Sequence, residues 1–86
     1  MYKLTREKDG KVLIGKSVNY VNWLEDGRAD SMTSTPSLGY SLILDIEKGF
    51  SYTWLTTVIT SLEQIGEELH FTTENSKYIL EKIEEF

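Results

Sequence analysis

Apolar and polar positions alternate from the first residues: Tyr2 and Leu4 stand apart from Lys3 and Thr5, and an apolar run resumes at Val12-Leu13-Ile14. Between them Lys8-Asp9-Gly10-Lys11 supplies an Asp-Gly turn, so the pattern predicts a two-stranded antiparallel hairpin. Ser17 to Leu24 carries two readings. Tyr20, Trp23, Leu24 and Gly27 fall at helical spacing, Val18, Tyr20 and Leu24 at strand spacing, and the aromatic and β-branched content favours a strand. Asp26-Gly27 then turns the chain into a polar stretch from Arg28 to Gly39 that holds its only proline, Pro36. This stretch is expected on the surface. Its length exceeds what compact domains usually leave structureless, which predicts either a binding loop or a hidden short strand around Ser31 to Thr35.

From Tyr40 the alternation is strong, with Tyr40, Leu42, Leu44 and Ile46 on one side and Ser41, Ile43, Asp45 and Glu47 on the other. Lys48-Gly49 reads as a turn, after which Phe50, Tyr52 and Trp54 share a side. The run from Leu55 to Leu62, dense in Thr, Val and Ile, predicts one long bent strand or two joined by a bulge. Gln64 to Glu68 breaks the pattern around Gly66; Leu69, Phe71 and Thr73 then oppose His70 and Thr72, and Glu74-Asn75-Ser76 makes the last turn. Residues 77–86 admit a short helix through Tyr78, Ile79, Lys82, Ile83 and Phe86. The strand before them needs a pairing partner, which favours a strand continuing toward Ile83. The sum is six or seven short strands with little or no helix: a mainly β chain, folded as a small antiparallel SH3-like barrel or a strongly bent sheet. At 86 residues the chain can build one core, so 1–86 is expected to be a single domain.

Charge changes this picture more than composition does. The net charge is -5, but residues 1–16 hold five bases against two acids, whereas residues 63–86 hold two lysines against seven glutamates. An acidic C-terminal third repels phosphate backbones and favours encounter with a basic protein surface. The chain has no cysteine, which rules out disulfides, thiolate nucleophiles and Cys-based zinc sites. The charged N-terminal segment has no apolar run of signal-peptide length, and no stretch approaches the roughly 20 apolar residues that cross a bilayer. An intracellular, cytoplasmic location is therefore expected.

Two segments of the C-terminal half, Thr56-Thr57-Val58-Ile59-Thr60-Ser61-Leu62 and Phe71-Thr72-Thr73-Glu74-Asn75-Ser76-Lys77-Tyr78-Ile79-Leu80, carry a resemblance. The second resembles the Phe-x-Thr-x-Asn-Ser-x-Tyr-x-Leu ending of small uncharacterised proteins of bacteriophages and mobile elements, mostly of Gram-positive bacteria. Val58 stands where that pattern commonly has proline. The resemblance implies a genomic setting, and it offers no assigned catalytic residues to carry over. Turn chemistry alone also accounts for Asn75-Ser76, since asparagine tolerates positive φ and both side chains bond nearby backbone.

Constellations for catalysis are sparse. His70 is the only histidine, no Gly-x-Ser-x-Gly elbow occurs, and the glycines at 10, 15, 27, 39, 49 and 66 stand singly at expected turns. Asp45 and Glu47 share a strand face, the minimum arrangement for paired-carboxylate or magnesium chemistry, but a solvated polar face explains them equally. Phe50, Tyr52 and Trp54 read as core packing, with a platform for bases or peptide as the alternative. Trp23, amid polar neighbours, is a candidate interface anchor.

These features predict no cofactor, no metal and no enzymatic activity. The expected function is a non-enzymatic protein-binding module of a phage or mobile element, an inhibitor of the anti-CRISPR or anti-restriction type. Its acidic surface would block a basic nucleic-acid-binding host protein. The candidate partner-binding residues are Trp23, Glu25, Asp26, Asp30, Asp45 and Glu47, with Glu67, Glu68, Glu81, Glu84 and Glu85 from the acidic end. A structural or accessory assembly protein is the first alternative. A weak nucleic-acid binder using the basic N-terminal hairpin and the aromatic strand is the second.

Overall fold

The computed structural model describes residues 1–45 and 54–83, and the regular elements among them are all strands. The expected first hairpin is formed by β1 (Tyr2–Arg6) and β2 (Lys11–Gly15), closed by Gly10 at φ +70°. Then follow β3 (Val18–Trp23), β4 (Ala29–Thr33), β5 (Ser41–Leu44), β6 (Trp54–Ile65), β7 (Glu68–Thr73) and β8 (Lys77–Lys82). Among the described residues eight strands replace the expected six or seven, and the addition is β4, inside the 28–39 stretch. It pairs antiparallel with β3, Tyr20 opposite Thr33 and Val21 opposite Met32. Its residues are exposed apart from half-buried Thr33. An edge strand without a buried face leaves no apolar alternation in the sequence, so only its length betrayed it.

All pairings are antiparallel, and the strands form one sheet in the order β2-β1-β8-β7-β6-β5-β3-β4. This is the strongly bent sheet, curled as a half-barrel whose two edges are β2 and β4. The bend lies in β6. Its first part, Trp54 to Val58, pairs with β5, and its remainder, Ile59 to Ile65, pairs with β7. Register shifts interrupt both pairings, as expected of a long strand bent by bulges. Between Ser41 and Ile43 the ladder slips, and the Leu42 N–H donates instead to the buried Thr56 hydroxyl at 3.0 Å. That hydroxyl donates in turn to the Thr57 carbonyl at 2.8 Å. A side chain thus replaces the ladder partner that the bulge removes.

The concave side holds the core: Leu4, Tyr20, Leu42, Leu44, Ile59, Leu69, Phe71, Tyr78 and Leu80. Alternate residues of β7 are buried, as the period predicts, and Phe71 stacks on Tyr78 with ring centroids 5.2 Å apart. Residues 77–82 are a strand, not a helix, because β8 is clasped between β1 and β7.

Two expectations require correction. The alternation puts Asp45 on one strand face with Ser41 and Ile43, read as a solvated face or a carboxylate pair, yet every residue of β5 is buried. The strand stops at Leu44, and Asp45 lies beyond it at φ +61°, its N–H bonded to the Ser17 carbonyl and its carboxylate accepting the Lys16 N–H. Gly15 is not a turn residue. It ends β2, buried, where a Cβ would come within 2.7 Å of the Leu44 side chain. Glu47, the Lys48-Gly49 turn, Phe50, Tyr52, Glu84 and Glu85 lie outside the described residues.

Candidate functional site

The convex side of the sheet assembles an acidic and aliphatic face out of residues far apart in sequence. Register places Ile14, Lys3, Glu81, Glu68 and Ile65 in one transverse row across β2, β1, β8, β7 and β6. The next row is Val12, Thr5, Ile79, His70 and Glu63. Neighbouring strands lie about 4.8 Å apart, so the carboxylates of Glu63, Glu68 and Glu81 share a patch roughly 10 Å across three strands. His70 Nε2 is 2.9 Å from Glu68 Oε1, which orients that carboxylate. Ile65, Val12 and Ile14 remain 48%, 48% and 42% exposed on the same side. Carboxylates beside uncovered aliphatic surface are what a polar, charge-selective protein interface requires.

The other predicted residues are not gathered there. Glu67 lies beside the patch in the β6–β7 turn. Glu25, Asp26 and Asp30 belong to the β3–β4 hairpin at the opposite end of the strand order. Within it Asp26 pairs with Arg28 at 2.7 Å, and Asp30 accepts from Asn22 at 3.3 Å. Trp23 is half-buried, and its indole N–H donates to Ser41 Oγ at 2.7 Å. Glu63, absent from the predicted set, joins the patch; it lies at the end of the long strand where the alternation breaks, and its pairing with His70 is invisible without register.

A second constellation forms at the open end of the concave side. The row Lys11, Arg6, Tyr78, Phe71 and Leu62 begins with two cations and ends in core. Trp54 crosses over the pair, its ring centroid 5.1 Å from the Arg6 guanidinium and 4.8 Å from the Lys11 ammonium. Asp9 grips Arg6 with both oxygens, at 3.1 and 2.6 Å. The bond from Arg6 holds the Asp9 carboxyl at about 2, and the same bond raises the guanidinium further. The Trp54 N–H reaches the Tyr78 hydroxyl at 3.4 Å.

The two segments that carry the sequence resemblance converge on this corner. Thr73 Oγ1 accepts the N–H groups of Asn75 and Ser76 at 3.4 and 3.3 Å, which builds the tight turn before β8. Asn75 and Ser76 then line a hollow with Thr57, Trp54, Arg6 and Lys8, about 380 Å³ in volume. Among the described residues, no group of three or more His, Asp or Glu side chains is arranged to hold a metal ion. Nor is any helix long and apolar enough to cross a membrane. Comparison with protein-family models, curated proteins and solved structures finds no match for the chain.

Proposed function

We propose that the chain is a non-enzymatic protein-binding module whose convex face docks on a basic, nucleic-acid-binding surface of another protein. The observation that carries this reading is the convergence of Glu63, Glu68 and Glu81 on three adjacent strands, beside exposed Ile65. Carboxylates so placed compete with phosphates for arginine and lysine clusters, and the aliphatic neighbours supply the apolar contact that affinity needs. The net charge of -5 adds long-range steering toward such a partner. The resemblance of the Phe71 to Leu80 segment to phage and mobile-element proteins supports an inhibitor of a host nucleic-acid-binding protein, of the anti-CRISPR or anti-restriction type, acting in the bacterial cytoplasm.

The reading is tested with the intact chain immobilised against bacterial extract freed of nucleic acid. A captured partner should be released by moderate salt and by added nucleic acid, since both compete for the same cations. Capture indifferent to both would remove the basis for the proposal, and concentration-dependent self-assembly without any partner would favour an assembly protein instead.

A further inference from the structure

The hollow beside Trp54 differs from the neighbouring groove. No carboxylate lines it, although the groove on the far side of Lys8 and Asn75 includes Glu7 and Glu74. One of its two cations is held in position before any ligand arrives. Arg6 is fixed by Asp9 and by the indole face, so little side-chain entropy remains to be lost on binding. The bidentate grip on Asp9 engages Nε and one terminal nitrogen, Tyr78 also bonds the guanidinium, and the group carries five N–H donors in all. Lys8 and the Asn75 carboxamide have no hydrogen-bond or ion-pair partner among the described residues. Lys11 lies over the same indole and adds a third cation at this corner.

We propose that this hollow binds a small nucleoside phosphate. The phosphate takes the Arg6 and Lys8 cations, the nucleoside lies along the half-buried Trp54 indole, and Asn75 donates to or accepts from its polar edge. The volume of about 380 Å³ is at the small end of ligand pockets and suits one such unit. A single unit also fits the electrostatics, because the net charge of -5 disfavours a long polyphosphate. This site is independent of the convex face and of the reading built on it.

Heteronuclear NMR of the full chain separates the outcomes, since Trp54 and Trp23 each give an indole N–H signal and only Trp54 borders the hollow. A nucleoside monophosphate should shift the Trp54 signal saturably and leave that of Trp23 in place. It should bind at least about tenfold tighter than the parent nucleoside or inorganic phosphate, each of which satisfies half of the site. Lys8→Glu, at an exposed turn position, should weaken binding by about tenfold or more with the Trp23 signal unmoved, which certifies the fold. The proposal is overturned if the monophosphate produces no saturable Trp54 shift, or if inorganic phosphate binds equally well. It is also overturned if Lys8→Glu leaves the affinity unchanged. A short single-stranded oligonucleotide binding more than about tenfold tighter than the monophosphate would contradict it too, by revealing a strand-binding surface.

Discussion

Glu68 and Glu81 stand directly opposite each other across β7 and β8. Like charges on one rung of an antiparallel ladder are destabilising, by about 0.2–1 kcal/mol. Lys3, opposite Glu81 on its other side, and His70, in contact with Glu68, offset part of that repulsion. A pair that opposes folding but completes an acidic patch fits a binding surface better than a purely structural one. Glu81→Thr should therefore raise the midpoint of denaturant unfolding slightly while weakening capture of a basic partner. A loss of stability would show that the pair is supported by interactions other than those described here.

Thr56 should be intolerant of losing its hydroxyl. Thr56→Val keeps the shape but strands the Leu42 N–H inside the sheet, at an expected cost of about 1–3 kcal/mol. Thr56→Ser retains the bond and should cost clearly less. Urea unfolding of both variants measures the difference, and equal destabilisation would mean that packing, not the bulge hydrogen bond, sets the cost.

Gly15→Ala should destabilise by about 1–3 kcal/mol, because the added methyl group must push against Leu44, itself fully buried. Trimming the opposing side chain tests the cause. If steric contact is responsible, Gly15→Ala combined with Leu44→Val should cost less than the two changes added separately, as thermal unfolding of the single and double variants will show.

Among the described residues, Asp9 and Tyr20 contribute to stability at the two extremes of pH. Asp9 titrates at about 2 in the folded chain against an ordinary 3.8, held down chiefly by the Arg6 bond. Its support of the hairpin is complete above the ordinary value and is lost as pH falls from about 4 to about 2. Burial raises the Tyr20 phenol to about 12 from 10.0, so its contribution is complete below the ordinary value and is lost as pH climbs from about 10 to about 12. Carboxyl NMR titration and phenolate absorbance should find both midpoints displaced in these directions, and Asp9→Asn should flatten the acid limb of stability.

Strands with one buried face were legible in the sequence. Leu69, Phe71 and Thr73 alternate with His70 and Thr72, and they are buried and half-buried in that order. Less legible were elements whose environment breaks the period. The edge strand β4 has no buried face, and β5 is covered on both, so Asp45 was assigned to a strand that ends one residue earlier. The acidic character of the C-terminal third was also visible. Which of its carboxylates meet depends on register, and register follows from turn lengths and bulges that composition does not encode. The Arg6–Trp54 contact was hidden for the same reason, since it joins residues 48 positions apart through the curl of the sheet.

The central claim is that the convex carboxylates are the docking surface, and reversing them tests it most directly. Glu63, Glu68 and Glu81 changed together to Lys should leave unfolding cooperative, because all three side chains lie on the solvent side of their strands. The account predicts that the intact chain captures a basic nucleic-acid-binding protein and that the triple variant captures none of it. Equal capture by the folded triple variant would contradict the account.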